Sequence, residues 1–231
     1  MTDRPIRVAV IDSGVNATHP HIGGVAGGVA IASDGSTHLD YLDRLGHGTA
    51  VAAAIKERAP GAELFCVKVF HRDLTATIAA LVAAIDWSAG QRADLINLSL
   101  GTSNPDHAAG LRDAVERATD AGALLVAAGT SDGVDYLPGS LTGVVRVELD
   151  WACPRLGATV SGEGAAAVCG ASGYARPMPG VSPERNLKGI SFAVANTTGV
   201  LARELRPGSR ATVLTAIEAL RRVSTGIEQR P

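Results

Sequence analysis

Aromatic side chains are scarce in this chain of 231 residues: tryptophan, tyrosine and phenylalanine together make up 3% of it. Hydrophobic residues nevertheless make up 46%, so we expect a core built from alanine, valine, leucine and isoleucine. A chain of this length can bury such a core without a disulfide or a structural metal. The length suits one α/β domain, and we interpret residues 1–231 as a single domain.

An excess of basic residues is also missing, because the formal net charge is −2 and lysine and arginine form no stripe or run. Nucleic acid is therefore not expected as a partner. No apolar run approaches the roughly 18 residues that cross a membrane, so no membrane span is expected. No apolar signal segment precedes the first strand-like run, which predicts a cytoplasmic protein. The sequence does not indicate an oligomeric state.

Cysteine is rare, since the chain contains only Cys66, Cys153 and Cys169. Cys66 lies in an apolar run and is interpreted as a small buried hydrophobic residue. The spacing of the other two fits no metal motif, and a reducing compartment disfavours a disulfide between them. His19 and His21 form a single H-x-H pattern, which is weak support for zinc. We therefore predict free thiols, no metal and no cofactor.

Short apolar runs alternate with helical patterns along the chain. The strand-like runs are Ile6–Ile11, Glu63–Phe70, Asp94–Leu100, Ala123–Gly129 and Gly143–Leu149. The helical patterns are His47–Arg58, about Leu74–Ala89, a helix opened by Asn104 and Pro105, a helix from Ser191, and Arg210–Val223. This alternation predicts a three-layer α/β fold, with a mostly parallel sheet flanked by helices on both faces. Residues 150–188 are expected to form loops and short strands.

Several polar residues stand where predicted strands end. Asp12 directly follows the first strand, Ser99 and the residues after it close a later one, and Thr130 follows the next. Parallel sheets bind ligands at the carboxyl ends of their strands. We therefore expect these residues to gather at one edge of the sheet.

Three short motifs carry candidate catalytic side chains: Asp12 in VIDSGV, His47 in GHGTAVAA and Ser191 in GISFAVA. Taken alone, each residue has an ordinary structural interpretation as a turn residue, a histidine at a helix start or a helix N-cap. Together they supply a hydroxyl nucleophile, an imidazole that takes its proton and a carboxylate that orients the imidazole. The chain order Asp, His, Ser is one of the few known for such a triad.

The motifs resemble, in the same order, the sequence blocks of the subtilisin-like serine proteases, or subtilases. IDSGV with THP resembles the aspartate block, GHGTAVA the histidine block and GISFAVANTTGVLA the serine block. INLSLG and LLVAAG resemble the substrate-cleft and oxyanion blocks. The resemblance covers about Ile6 to Leu205. It implies a subtilisin-like fold with Asp12, His47 and Ser191 as the triad.

The resemblance also implies where a peptide or protein substrate would lie in extended conformation. The strand edge that pairs with it is implied at Ser99, Leu100, Gly101 and Thr102. The pocket for the residue before the cut is implied at Ala127, Ala128 and Gly129. Main-chain pairing of this kind gives affinity with limited demand on the substrate's sequence.

The chain departs from the usual pattern of the family in its histidine, oxyanion and serine blocks. Thr130 stands in the place of an asparagine whose amide donates to the oxyanion, and Ala50 in the place of a second histidine. Ile190 and Phe192 replace a threonine and a methionine. The backbone N–H of Ser191 is expected to bind the oxyanion.

A hydroxyl, on Thr130 or Ser131, is expected to replace the missing amide in part. The link from Lys56 to Glu63 is too short for the calcium-binding insertion common in the family, so no metal is predicted there.

These features predict a serine endopeptidase that is slow or restricted in its substrates, because the triad is complete while the oxyanion hole is altered. Processing of a dedicated peptide or leader is the preferred setting. A pseudoprotease that binds peptides as a scaffold is one alternative; the altered blocks favour it and the complete triad opposes it. An acyl-transfer macrocyclase is the other, although no inserted lid that would exclude water is evident.

Overall fold

One mixed sheet runs through the computed structural model, which describes residues 4–131 and 133–228, the side chains of residues 131 and 225–228 excepted. Its strands in the described chain are β1 Arg7–Asp12, β2 Gly27–Ile31, β3 Thr37–His38, β4 Glu63–Lys68, β5 Leu95–Leu98, β6 Leu124–Ser131, β7 Val134–Asp135, β8 Val144–Leu149, β9 Thr159–Ser161 and β10 Val168–Ala171. The strand order is β3-β2-β4-β1-β5-β6-β8-β10-β9, with β7 paired to β6. The central pairings are parallel, and β3, β7 and β9 pair antiparallel.

Helices cover both faces of this sheet. They are α1 His47–Arg58, α2 Ile78–Gly90, α3 Ala108–Asp120, α4 Ile190–Glu204 and α5 Val213–Glu228. Helices α1, α4 and α5 share one buried hydrophobic cluster, and α2 and α3 share another. Alternate residues of β1 divide between the clusters, with Val8 and Val10 in the first and Ala9 and Ile11 in the second. The predicted three-layer α/β fold is confirmed.

Some element boundaries differ from the sequence prediction for local reasons. Helix α2 begins at Ile78, later than the predicted Leu74, because the Thr77 side chain caps it by accepting from the N–H of Ala80. Strand β2 is absent from the prediction. Its second residue is Gly28, where a Cβ would lie 2.8 Å from the Cys66 carbonyl oxygen, so the close approach of β2 to β4 requires glycine. The glycines interrupt the apolar run by which a strand is recognised in a sequence.

Other predicted boundaries lie close to the observed ones. Asn104 caps a single 3₁₀ turn, Pro105–His107, that leads into α3. The last helix begins at Val213 rather than at the predicted Arg210. Residues 150–188 contain the short strands β9 and β10 between loops, as predicted.

No described helix has the length and apolar character needed to cross a membrane.

The parallel pairing brings the candidate side chains to one edge of the sheet. Strands β5 and β1 are neighbours, as are β5 and β6, so their carboxyl ends lie side by side. Asp12 ends β1 and Ser99 follows β5. The N-termini of α1 and α4 meet this edge, since His47 contacts Asp12 and Ser191 contacts Ser99.

Helices α1 and α4 approach closely at Gly199, where an added Cβ would lie 2.7 Å from the side chain of buried Arg58. Gly199→Ala therefore forces a neighbour to move, and we expect it to lower the free energy of unfolding by about 1–3 kcal/mol. The matched control is Gly110→Ala on α3, where nothing lies within 4 Å of the added Cβ.

The control should raise the free energy of unfolding by up to about 1 kcal/mol, because alanine favours a helix. Urea denaturation of the two variants measures both changes. Equal effects at Gly199 and Gly110 would contradict the close packing of α1 on α4.

Candidate active site

Asp12 and His47 form a hydrogen-bonded pair at the carboxyl edge of the sheet. The His47 Nδ1 atom lies 2.7 Å from Asp12 Oδ1. The Asp12 side chain is fully buried, whereas that of His47 is 15% exposed. The same Asp12 oxygen accepts from the backbone N–H of Ser13 at 2.7 Å. With Nδ1–H donated to the carboxylate, the Nε2 atom is left to accept a proton.

The pKa of His47 lies above its ordinary value of 6.5. Burial acts to lower this pKa by penalising the charged ring, but the hydrogen bond and charge of Asp12 outweigh it, and the charge of Asp43 adds to them. The pair therefore stabilises an imidazolium, which is the state that a general base enters when it takes a proton.

Side chains from two loops fix the N-terminus of α1 and so the position of His47. The Ser13 hydroxyl accepts from the Gly48 N–H at 2.9 Å. The Asp43 carboxylate accepts from both the N–H and the hydroxyl of Thr49, at 2.9 and 2.6 Å. A Cβ on Gly48 would overlap the Gly14 carbonyl oxygen, so the helix start can reach β1 only with glycine there.

Asp43 is a site residue that the sequence prediction missed. Besides Thr49, it accepts from the Ser13 hydroxyl and from the N–H groups of Leu45 and Gly46. Burial would raise the pKa of Asp43, but these hydrogen bonds hold it below its ordinary value. An acidic residue just ahead of a helix start is the signal that indicates such a role.

Ser191 lies in the first turn of α4, beside the end of β5. Its hydroxyl donates to the Ser99 carbonyl oxygen at 3.2 Å. Behind it, the Asn97 amide donates to the Ser99 hydroxyl at 2.9 Å, and the Thr198 hydroxyl donates to Asn97 Oδ1 at 3.0 Å. This buried network, which the site prediction omits, ties α4 to β5.

The start of α4 faces His47. The imidazole ring centroid lies 5.6 Å from that of buried Phe192, the residue after Ser191. In the described residues the Ser191 hydroxyl bonds to Ser99 and not to His47. The backbone N–H of Ser191 finds no acceptor within residues 4–131 and 133–228, as is usual in the first turn of a helix. That N–H, at the positive end of α4, favours an anion.

Thr130 is engaged in a hairpin between β6 and β7. Its hydroxyl donates to Asp135 Oδ1 at 2.9 Å and accepts from the Arg146 guanidinium. Arg146 also bonds Asp135 at 2.8 Å and Glu148 at 3.4 Å. The proton of the Thr130 hydroxyl is therefore held by a carboxylate. The Ser131 side chain, the other predicted oxyanion donor, lies outside the described residues.

Arg146 is a second residue that the sequence prediction missed. It projects from β8, and a Cβ on Gly129 would overlap its side chain, so glycine is needed there. Nothing in the pattern GVVRVEL separates an arginine that faces solvent from one that reaches a neighbouring strand.

The predicted substrate edge is open over part of its length. Gly101 is exposed, and the backbone groups of Leu100 and Gly101 have no hydrogen-bond partner in the described chain. Thr102 differs, because its N–H and carbonyl pair with Leu137 at 2.9 and 2.8 Å. The stretch left free for a ligand backbone is therefore Leu100–Gly101.

The predicted pocket residues lie within β6. Ala127 and Ala128 are buried on opposite faces of the sheet, in the two hydrophobic clusters. Gly129 follows them, and its carbonyl accepts from the Tyr136 N–H at 2.8 Å. The side chains of the two alanines are thus occupied by core packing, so a ligand at this segment meets backbone.

The cysteines offer no second nucleophile. All three are unpaired and buried. Burial raises the pKa of Cys66 and of Cys153, and it raises that of Cys169 to about 12. Their thiols are therefore protonated at neutral pH.

Within the described ranges, no group of three or more histidine, cysteine, aspartate or glutamate side chains is placed to hold a metal ion.

Comparisons with known proteins show the family to which the chain belongs. The model of the subtilase family matches residues 3–148. Minor extracellular protease Epr of Bacillus subtilis is 37% identical over 161 residues, which are 64% of this chain and 24% of that protein. Subtilisin Savinase of Lederbergia lenta is 30% identical over 210 residues, which are 87% of this chain and 73% of that protein. The chain spans less than two thirds of several such relatives, including 53% of subtilisin E of Bacillus subtilis.

Solved structures share the fold at low sequence identity. A cold-adapted subtilisin-like serine proteinase superposes with a TM-score of 0.69 at 23% identity, covering 93% of this chain and 80% of that chain. A lanthipeptide protease superposes with a TM-score of 0.68 at 18% identity, covering 94% of this chain and 79% of that chain.

Asp12→Asn should lower the pKa of His47, because it removes the charge that opposes the effect of burial. A titration of the imidazole followed by NMR measures this pKa in the wild type and in the variant. Asp113→Asn, an exposed position on α3, is the matched control and should leave the His47 titration unchanged. An unchanged pKa in Asp12→Asn would contradict the described ion pair.

Proposed function

Because the chain belongs to the subtilase family, we propose that it is a serine endopeptidase with Asp12, His47 and Ser191 as its triad. The observation that carries this proposal is the 2.7 Å hydrogen bond between His47 and fully buried Asp12, next to the start of α4. The raised pKa of His47 and the closeness of its ring to Phe192, the residue after Ser191, support a proton transfer between His47 and Ser191.

In the proposed mechanism the Ser191 hydroxyl first leaves the Ser99 carbonyl by rotating about its Cα–Cβ bond toward His47. The Nε2 atom of His47 takes the hydroxyl proton as Ser191 Oγ attacks the peptide carbonyl carbon. The same proton then passes to the leaving amine. Asp12 keeps the ring in the Nδ1–H tautomer and stabilises the imidazolium, and water hydrolyses the acyl-enzyme by the same groups.

The oxyanion is proposed to bind chiefly to the backbone N–H of Ser191. The Thr130 hydroxyl contributes only after leaving Asp135, which already accepts its proton. Loss of one oxyanion donor costs about 10²–10³ in kcat. A triad with the remaining donor still exceeds the rate in water by a large factor, so slow turnover is expected rather than none.

Maturation of a dedicated peptide or leader segment is the proposed setting. The open backbone at Leu100–Gly101 supports it, because an extended peptide can pair there. A lanthipeptide protease shares this fold, which supports a peptide as the substrate of this chain. The proposed location is the cytoplasm, where slow turnover would limit unwanted cleavage of other proteins.

A peptide-binding protein without turnover is the second candidate function. The hydrogen bond from Thr130 to Asp135 favours it. Thr130 stands where the family has an asparagine, and because its hydroxyl donates to Asp135 it does not donate to an oxyanion. This candidate predicts that peptides bind at Leu100–Gly101 and are released uncut.

Incubation with a peptide library and analysis of the products by mass spectrometry tests the proposal. We expect products of hydrolysis that disappear in Ser191→Ala and persist in Ser209→Ala, an exposed position. The rate should fall on the acid side with an apparent pKa above 6.5, because the neutral form of His47 is the base. Binding without cleavage would support the scaffold function instead, and cyclic products would indicate acyl transfer.

Thr130→Asn should raise kcat by tenfold or more, because the amide adds an N–H donor at a position where the hydroxyl proton is held by Asp135. Steady-state measurement of kcat and KM on one peptide provides the comparison. Thr142→Asn, an exposed position after β7, is the control and should leave kcat within about twofold. A fall of kcat in Thr130→Asn would show that the hydroxyl is the working donor.

A further inference from the structure

We infer that a basic side chain of the substrate releases the Thr130 hydroxyl to the oxyanion by pairing with Asp135. This inference rests on the proposed endopeptidase function and extends it to the substrate class, a peptide with lysine or arginine before the cut. It depends on Thr130, Asp135 and Arg146, which are joined by hydrogen bonds and which we call the hairpin cluster.

The hairpin cluster adjoins the strand edge at which a substrate is proposed to pair. A Cβ on Gly101 would lie only 3.2 Å from the Cβ of Tyr136. Tyr136 directly follows Asp135, so the carboxylate that bonds Thr130 is one position away from a residue in contact with the open edge. A long side chain of a peptide paired with Leu100–Gly101 can therefore reach Asp135.

The proposed nucleophile belongs to the neighbouring strand end. The Ser191 hydroxyl donates to the carbonyl of Ser99, which directly follows β5. Strand β5 pairs in parallel with β6, the strand that contains Thr130. Because neighbouring strands lie about 4.8 Å apart, the hairpin cluster and Ser191 lie at adjacent strand ends on one edge of the sheet.

The proton of the Thr130 hydroxyl is committed to a carboxylate in the free protein. The hydroxyl donates to Asp135 Oδ1 at 2.9 Å, so its single proton cannot also reach an oxyanion. The Arg146 guanidinium donates to the Thr130 oxygen and, at 2.8 Å, to the same Asp135 oxygen. Once Asp135 has turned away, the bond from Arg146 polarises the Thr130 hydroxyl and strengthens it as a donor.

The charges exposed at the hairpin cluster attract a cation rather than an anion. The Asp135 side chain is 66% exposed, whereas that of Arg146 is 29% exposed. Glu148 also bonds Arg146, so two carboxylates face one guanidinium. Asp135 Oδ2 has no hydrogen-bond partner in the part of the chain that the structure describes. A lysine or arginine can pair with that oxygen from the solvent side, whereas an acidic side chain would have to displace carboxylates from Arg146.

Release of the hydroxyl acts on the transition state and not on the bound substrate. The oxyanion forms only as the peptide carbonyl is attacked, so a donor gained at that moment raises kcat. Loss of one such donor costs about 10²–10³ in kcat, and the hydroxyl is expected to restore about tenfold or more of it. Peptides without a basic residue before the cut would then be processed slowly.

Peptides that share one segment after the cut and differ before it test the inference. Lysine, glutamine and glutamate are compared at the first, second and third positions before the cut, and kcat and KM are measured for each peptide. We expect kcat for lysine to exceed kcat for glutamine by about tenfold or more at one of these positions. A lysine that only paired with Asp135 would lower KM and leave kcat unchanged.

Two variants of the hairpin cluster should act in opposite directions. In Thr130→Val there is no hydroxyl to release, so kcat for the lysine peptide should fall to the wild-type value for the glutamine peptide. In Asp135→Ala the hydroxyl is free with every peptide, so kcat for the glutamine peptide should rise toward the wild-type value for lysine. Both variants should bring the kcat ratio close to one, and each has its own expected value, so one folded variant is enough for the test.

Asp113→Ala is the matched control, because it removes an exposed carboxylate from α3 and should keep the wild-type ratio. A wild-type kcat ratio near one, a preference for glutamate, or a ratio that persists in Thr130→Val or in Asp135→Ala overturns the inference and leaves the proposed triad standing. Absence of cleavage of every peptide overturns both the inference and the proposed function.

Discussion

The hydrogen bond between His47 and Asp12 is the contact on which the rest of the site depends. A carboxylate buried at the end of β1 is costly unless it is paired, and the imidazole is its only side-chain partner in the described chain. Bringing the ring there requires the start of α1 to lie against β1, which in turn requires Gly48 and the hydrogen bonds of Asp43. The same arrangement raises the pKa of His47, so one structural constraint provides both the position and the basicity of the proposed base.

The proposed oxyanion site, in contrast, relies on a backbone donor. Its backbone donor, the N–H of Ser191, comes with the first turn of α4 and needs no particular side chain. The side-chain donor is missing, because the Thr130 hydroxyl is hydrogen-bonded to Asp135 and Arg146 and does not point its proton at an oxyanion. A strong proton-transfer pair beside a weakened anion site accounts for the proposed combination of competence and slow turnover.

Much of the fold could be predicted because apolar periodicity and strand–helix alternation are local properties, as in β5 and α3. The contact of His47 with Asp12 could be expected from the sequence, because Asp12 stands at a strand end and His47 at a helix start, whereas Ser191 as the third member of the triad stays a prediction. The contact of Arg146 with Thr130 could not be predicted, since it depends on a side chain reaching a neighbouring strand.

Covalent labelling with an organophosphonate most directly tests the central claim, that His47 and Asp12 activate Ser191. The account predicts a single adduct on Ser191, formed at a rate that rises with pH through the same pKa, above 6.5, at which His47 titrates. It also predicts that Asp12→Asn slows labelling by about 10⁴, as expected when the orienting carboxylate of a triad is lost. Labelling on another residue, or a rate that does not follow His47, would contradict it.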